Sequence, residues 1–496
     1  MFSFLSPYEK KLGLVHTSIS DLHIDELLEI IEKDKDERLY ILNVLSDFEE
    51  NVDNIYYRQE LIKDFLENDG LYDDLKNFFK KSINIGDEYR AIKKEKLSVQ
   101  KFFSTYNIDN YDTCGTLVRR YAAVIQSIIR LYIDISKYLK SYNFKSQAMN
   151  AFKDTILTKV ENKSLVSLNE LMDKIISLKG TYDMLVILNN RFQVIDTKII
   201  LDYEHEKEEF HLFKKKKEWE TTNVDVNEKT LFEMDYFITS ASVKLVDRLS
   251  ALFEDFYDVF SSTASEMTFI KFALDYTYYL NKLKLNYVFP KFNYEDTKYS
   301  SIVDPYLCIK AYDESGKIIN VCANDFKKTK DEGGVLVVGE NNTGKTVYTR
   351  SLGINQIFAQ AGLMVTAVDA NVKINHQIIT CYASKESHEF DGGRFETEVR
   401  ALKYILDKAC ENTMIIVNEI FQSTAADEGT SALYNVLSYM TYVNISWICV
   451  SHFLDLGKMI DNFYEDNKKI IHLMKTRHYI KDGKEYFYID TIDKME

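Results

Sequence analysis

Val335-Leu336-Val337-Val338-Gly339-Glu340-Asn341-Asn342-Thr343-Gly344-Lys345-Thr346 is the stretch whose reading decides the fold. Four apolar residues predict a buried strand, Gly339 begins a loop, and Lys345-Thr346 open a helix that reaches about Gln360. The spacing G-x-x-x-x-G-K-T is that of a phosphate-binding loop. Glycines let the backbone approach phosphates closely, and the amide N–H groups gather at the head of a helix whose dipole favours an anion. In this motif Lys345 supplies a point charge for the β- and γ-phosphates, and the Thr346 hydroxyl ligates Mg²⁺. The expected ligands are therefore ATP and Mg²⁺. The expected cradle is Gly339, Glu340, Asn341, Asn342, Thr343, Gly344, Lys345, Thr346 and Val347.

Composition narrows the rest. Hydrophobic residues make up 46% of the chain, which excludes wholesale disorder. Proline is confined to Pro7, Pro290 and Pro305, so long helices are favoured. No two of the six cysteines form C-x-x-C, and neither a zinc site nor a redox pair is signalled. They read as reduced thiols of a cytoplasmic protein. The start, Met1-Phe2-Ser3-Phe4-Leu5, lacks the basic region of a signal peptide. No apolar run approaches the roughly 20 residues of a membrane span. The net charge of −15 argues against nucleic-acid binding through bulk charge, while leaving room for a local basic patch.

Two halves of different pattern follow. Residues 1–110 predict helices, including amphipathic stretches at 21–31 and 57–66; residues 93–101 are polar and read as a loop or helix end. Residues 111–290 predict long lever helices. Tyr121, Val124, Ile125, Ile128, Tyr132, Ile135 and Leu139 keep a spacing of three and four. Further apolar repeats cover 165–188 and 231–287. Such lengths suggest extended levers rather than a compact bundle. Between the last two, residues 204–220 form a charged tip holding Lys214-Lys215-Lys216-Lys217 among glutamates. It reads either as a clamp-like contact to nucleic-acid phosphates or as a solvated surface. After Pro290, short β-type runs at 306–311, 335–338, 363–368, 377–382, 414–417 and 447–450 alternate with helices, which implies a mainly parallel sheet over 291–496. Residues 470–475 and 486–490 read as a hairpin about Asp482-Gly483.

Met414-Ile415-Ile416-Val417-Asn418-Glu419 is an apolar strand ending in two polar residues. In phosphate-loop ATPases the strand beside the loop ends in an acidic residue for the Mg²⁺ shell, and a following Glu polarises water. Glu419 fits the second role. Asn418 stands in the first without charge, a difference on the order of 1–4 kcal/mol at short range. Weak Mg²⁺ binding and slow hydrolysis are expected. His452 ends the strand Trp447-Ile448-Cys449-Val450-Ser451, at the sheet end where ligands sit, and is a candidate sensor of the γ-phosphate.

Together these residues resemble the MutS family of DNA mismatch-repair ATPases. Residues 339–346 resemble its G-P-N-M-x-G-K-S/T, with Tyr348 and Arg350 in matching positions. Val365-Thr366-Ala367 is similar to its V-P-A, and Phe395-Glu396-Thr397-Glu398 to its F-M-V-E, which implies that Glu398 faces the nucleotide. Residues 418–429 align with D-E-I-G-R-G-T-S-T-x-D-G, and Ser451-His452-Phe453 with T-H-Y/F. The likeness is specific over 291–475 and weaker before it. It implies an α plus α/β chain: a helical core and lever region, then an ABC-type phosphate-loop ATPase domain. It also implies duplex DNA as partner and a homodimer through the ATPase domain.

The departures carry expectations too. The stretch before the loop is too short for the family's mismatch-reading and connector domains as well as the levers. The C-terminal helices that strengthen the family's dimer are not matched. Ala425 replaces the Ser of a loop that, in the family, reaches the partner's nucleotide. The expected function is thus a nucleotide-gated clamp on distorted or branched duplex DNA, with catalytic Glu419 and His452. A nucleotide-binding scaffold that hydrolyses ATP poorly and acts through protein partners is the second reading. A chromosome-structuring ATPase is disfavoured, because the interval from Lys345 to Asn418 leaves no room for a long coiled coil.

Overall fold

The computed structural model describes residues 2–6, 18–103, 111–161, 164–177, 183–188, 194–200, 228–382, 394–421, 425–459, 463, 469–481 and 484–493. The lysine-rich tip at 204–220, Gln422-Ser423-Thr424 and the turn at Asp482-Gly483 lie outside the described residues.

The helices come first: α1 (Ser18–Asp21), α2 (Ile24–Ile31), α3 (Lys35–Ser46), α4 (Val52–Glu67), α5 (Leu71–Phe103), α6 (Tyr111–Lys140), α7 (Gln147–Glu161) and α8 (Ser164–Ser177). A hairpin of β1 (Asp183–Leu188) and β2 (Val194–Ile200) follows, then α9 (Glu228–Thr263) and α10 (Glu266–Lys282). The remainder alternates: β3 (Lys291–Asn293), β4 (Thr297–Ile302), α11 (Pro305–Ser315), β5 (Asn324–Lys328), β6 (Glu332–Val338), α12 (Lys345–Gln360), β7 (Asp369–Lys373) and β8 (Gln377–Tyr382). It ends with α13 (Arg394–Lys408), β9 (Thr413–Asn418), α14 (Ala426–Tyr442), β10 (Ser446–Ser451), α15 (Leu454–Lys458), β11 (Ile470–Lys481) and β12 (Lys484–Thr491).

The main sheet has the order β12-β11-β6-β10-β9-β8. Its neighbours run parallel except β11 and β12, which pair antiparallel at the edge. Strand β6 is apolar without alternation because both its faces are covered. Val335 and Val337 join one buried cluster with α2, α10 and α12, while Leu336 and Val338 join another with Trp447, Leu433 and Leu437. A second sheet, β3-β7-β4-β5, packs beside the first.

Several sequence expectations are corrected here. Residues 306–311 are helical: Asp304 accepts the Leu307 amide as N-cap and Pro305 sits at the first helical position, a start signal stronger than the β-type composition. Residues 363–368 are no strand. They form a connection buried through Ala367, with a single bridge, Val365 to Val288, and Thr366 N donates to Asn355 Oδ1 at 2.7 Å. Residues 93–101 continue α5 to Phe103. The repeat at 165–188 breaks into α8 and strand β1. The long helices are also bundled rather than merely extended: α5, α7, α8 and α9 pack around α6, burying Tyr121, Ile125, Ile128 and Tyr132 completely. No helix among the described residues is long and apolar enough to cross a membrane.

The N-terminal segment ties the two halves together. Phe4 is buried in the helical cluster and Leu5 in the cluster of the main sheet. Glu266, at the start of α10, accepts from Ser3 Oγ at 2.5 Å and Phe4 N at 2.6 Å. Burial pushes its carboxyl up to about 7, against the hydrogen bonds from Ser3 and Phe4. The fold therefore favours the protonated acid: its contribution is complete below the unfolded carboxyl range near 4.5 and is lost as pH rises through about 7. Gln preserves the shape and the donor of the acid form. We expect Glu266→Gln to lie within about 1 kcal/mol of the wild type at pH 5 and to exceed it by ~1–3 kcal/mol at pH 8. Urea midpoints at the two pH values check this; equal midpoints at pH 8 would refute it.

Candidate nucleotide-binding site

The loop after β6 turns where φ is positive, at Asn342 (62°) and Gly344 (84°). Gly344 precedes α12 directly, a position that a Cβ would strain. At Gly339 a Cβ would fall 1.9 Å from Thr476 Oγ1, so β11 lies against the beginning of the loop. Phe487 of β12 comes within 3.4 Å of the same construction at Gly344, and its ring stacks on His478 at 4.6 Å. The hairpin is thus one wall of the loop, and sequence reasoning missed Thr476 and Phe487. The alternating aromatics Tyr486 and Tyr488 about Phe487 were the available signal.

Lys345 is 2% exposed. Its Nζ donates to Gly339 O at 2.9 Å and Glu340 O at 2.6 Å, and lies 3.3 Å from Glu419 Oε1. The buried cation is thereby held over the loop by three oxygens. The Thr346 hydroxyl donates to Asn418 Oδ1 at 3.1 Å. Thr343 Oγ1 donates to Glu340 O at 2.7 Å, which braces the turn. Glu340, Asn341 and Asn342 stay exposed, and Thr343, Thr346 and Val347 are half-buried. The structure brings Lys345, Thr346, Asn418 and Glu419 together at one end of the sheet.

Strand β9, which carries Asn418 and Glu419, does not lie beside β6. Strand β10 pairs with both and stands between them. The expectation of adjacent strands is corrected, and His452 at the end of β10 gains from it, being placed between the loop strand and the Glu419 strand. His452 Nδ1 is buried and has no hydrogen-bond partner among the described residues, while its ring lies 4.4 Å from that of Phe453. Glu419 N donates to Val450 O at 3.0 Å, so β10 also fixes the backbone that presents the carboxylate.

The turn after β9 is strained. Glu419 and Phe421 both take positive φ, 52° and 64°, each costing on the order of 1–2 kcal/mol for a residue with a side chain. Glu398 offsets this: 3% exposed, it accepts the Phe421 amide at Oε2, 2.7 Å. Phe421 is buried, with the Phe395 ring 5.2 Å away. The carboxylate of Glu398 thus anchors the turn that carries Glu419.

At its far side α12 is pinned by buried polar contacts. Arg350 meets the fully buried Asp304 at 2.7 Å (Nε) and 2.6 Å (Nη2), and Tyr348 OH donates to Asp325 O at 2.7 Å. Gln360 Nε2 donates to Glu49 O at 3.0 Å and Asn375 O at 2.8 Å.

A model of MutS domain V matches residues 335–486, a span that begins on β6 and ends in β12. It includes Lys345, Asn418, Glu419 and His452. The chain is a MutS-like protein. Its likeness to human MutS protein homolog 4 is 28% identity over 134 residues, 27% of this chain and 14% of the relative. Endonuclease MutS2 of Streptococcus thermophilus is 29% identical over 140 residues, 28% of this chain and 18% of the relative. DNA mismatch repair protein MutS of Petrotoga mobilis is 26% identical over 167 residues, 32% and 20%. The MutS-like chain therefore spans only a fifth or less of these relatives.

The residues of the MutS-like site fit a magnesium nucleotide in donor chemistry. Mg²⁺ takes oxygen ligands and is commonly held by few side chains plus phosphates. Thr346 Oγ1 and Asn418 Oδ1 are such oxygens, neutral and adjacent. No cluster of three or more His, Cys, Asp or Glu suited to a metal occurs among the described residues.

Proposed function

We propose that this chain is an ATP-binding, DNA-binding protein of the repair or recombination type, in which nucleotide at residues 339–347 biases the arrangement of the long helices on distorted or branched duplex DNA. One observation carries the reading: the buried Lys345 ammonium rests on two loop carbonyls and Glu419. A triphosphate offers this cation stronger partners than backbone carbonyls. Drawing Lys345 onto phosphate releases Glu419 to orient a water, and α12 transmits the adjustment to Gln360 and the contacts beneath it. Thr346 and Asn418 would hold a Mg²⁺ ion, which when bound neutralises phosphate charge. His452, with its free Nδ1, is suited to a hydrogen bond with the γ-phosphate. Pairing of two copies through this domain belongs to the same proposal.

The reading is tested by melting the wild type and Lys345→Ala across an ATP titration. At a hundredfold excess over Kd the wild type gains about 2.7 kcal/mol; the variant gains essentially nothing. A wild-type melting temperature that ATP leaves unmoved would end the proposal. Gel shifts on mismatched, branched and plain duplexes, with ATP, with ADP and without nucleotide, test the DNA half. Equal retention in all three nucleotide states would remove the gating.

A second reading, a hydrolysis-poor scaffold acting through protein partners, draws support from Asn418 and from Ala425, which precedes α14 and makes no side-chain cap. Mg²⁺-dependent turnover stimulated by DNA would exclude it.

A further inference from the structure

A cavity with room for ligand-atom centres of about 20 Å³ lies between the two sheets, beneath the middle of α12. Lys328 of β5, Lys373 of β7 and Tyr299 of β4 line it, together with Gln356 of α12 and Ser446 at the start of β10. It sits at the amino ends of β9 and β10, away from the phosphate loop at their carboxyl ends. Gln356 lies eleven residues past Lys345, roughly 16 Å along the helix axis.

Two lysines share this space with one lining carboxylate, Glu295, which pairs outward with Lys330. Lys328 Nζ donates only to the backbone Glu332 O, at 2.9 Å. Lys373 makes no side-chain hydrogen bond or ion pair among the described residues, and Lys469 stands close enough to repel both. Glu411 acts on Lys373 from a distance without pairing to it, and the other neighbouring carboxylates are occupied. Glu332 holds His472 and the Thr329 amide, Glu295 holds Lys330 Nζ, and Asp296 accepts the Lys330 amide. Burial pushes the Lys328 ammonium down to about 8, with Lys373 adding to the effect. Independently, the Tyr299 hydroxyl is buried and lacks a partner, although the residue is only 1% exposed. Buried hydroxyls nearly always have one.

Two lysines that make no ion pair among the described residues, beside an idle donor, describe an anion site. A single water needs on the order of 10–15 Å³ by this measure, so the space suits one small tetrahedral oxyanion and excludes a nucleoside. We propose that this cavity binds an inorganic oxyanion of the phosphate class, held by Lys328, Lys373 and the Tyr299 hydroxyl, at a site separate from the nucleotide loop. Occupancy ties β4, β5 and β7 of the small sheet together beneath α12, where Gln356 already donates to Lys373 O, and so stiffens the distal half of that helix.

The test is a melting series in buffer free of phosphate and sulfate, with inorganic phosphate added at constant ionic strength. Phosphate at about ten times its Kd should raise the wild-type Tm by roughly 2 °C. Lys345→Ala should keep this shift, because the phosphate loop is elsewhere. Lys373→Met should lose it, with at least a tenfold fall in affinity by calorimetric titration, and Tyr299→Phe should weaken it. Lys328→Met is the substitute if Lys373→Met does not fold. Equal shifts in the wild type and the lysine variant mean a bulk salt effect and overturn the proposal. So does a shift lost in Lys345→Ala but retained in Lys373→Met, or no shift in the wild type at all.

Discussion

Asn418→Asp is expected to hydrolyse ATP roughly 5- to 1000-fold faster than the wild type, and at lower Mg²⁺ concentration. The two side chains are the same shape. Asn418 Oδ1 already accepts from Thr346 Oγ1 at 3.1 Å, and a carboxylate oxygen in its place accepts the same proton. What changes is charge. Asn418 is 8% exposed and sits beside Thr346, where a unit charge at short range is worth on the order of 1–4 kcal/mol. Each 1.36 kcal/mol in the barrier is a tenfold change in rate. Steady-state kcat against Mg²⁺ concentration checks it. An unchanged kcat and an unchanged Mg²⁺ midpoint would show that position 418 does not limit this site.

Arg58→Ala destabilises the chain by ~3–5 kcal/mol, the range for removing one partner of a buried ion pair. Arg58 is 4% exposed. Its Nε donates to Leu5 O at 2.8 Å and its Nη1 to Ala361 O at 3.5 Å, while Nη2 lies 3.7 Å from Glu49 Oε2. Truncation takes the cation away from Glu49, which keeps the Asn51 amide and Asn54 Nδ2, and removes the donor to two carbonyls, in a space where burial already works against the guanidinium, with Glu49 opposing. Arg58→Lys recovers only part of the loss, since a point charge cannot serve three directions at once. Urea midpoints measure the change. Arg58 also joins the N-terminal segment to the residue just after α12, so a second readout is available: ATP should still raise the variant's Tm, but should no longer alter the proteolysis pattern of α5, α6 and α9. A loss below 1 kcal/mol, with ATP-dependent proteolysis intact, would deny Arg58 both roles.

The site was legible in the sequence to the extent that its parts are local. Gly339, Gly344, Lys345 and Thr346 fall within one turn of chain, and their spacing specifies both the loop and the helix that follows. Asn418, Glu419 and His452 could be found because each ends an apolar run. Glu398 shows where local reading stops. Its position in a family-like segment implied a face toward nucleotide; that its carboxylate holds the Phe421 amide, a contact set by how α13 lies on the sheet, is written in neither segment.

By itself, then, the sequence determined the glycine loop at 339–346, the helix α12 behind it, most of the parallel strands and the long helices, since backbone spacing and hydrophobic period are written in consecutive residues. Tertiary structure alone decided that β10 lies between β6 and β9, because hydrogen-bond partnership between strands leaves no trace in either strand's own pattern. It alone set residues 2–6 between two cores and brought Lys328, Lys373 and Tyr299 around one cavity. Those residues come from three strands, and their charges and hydroxyl meet only once the sheets close and water is expelled.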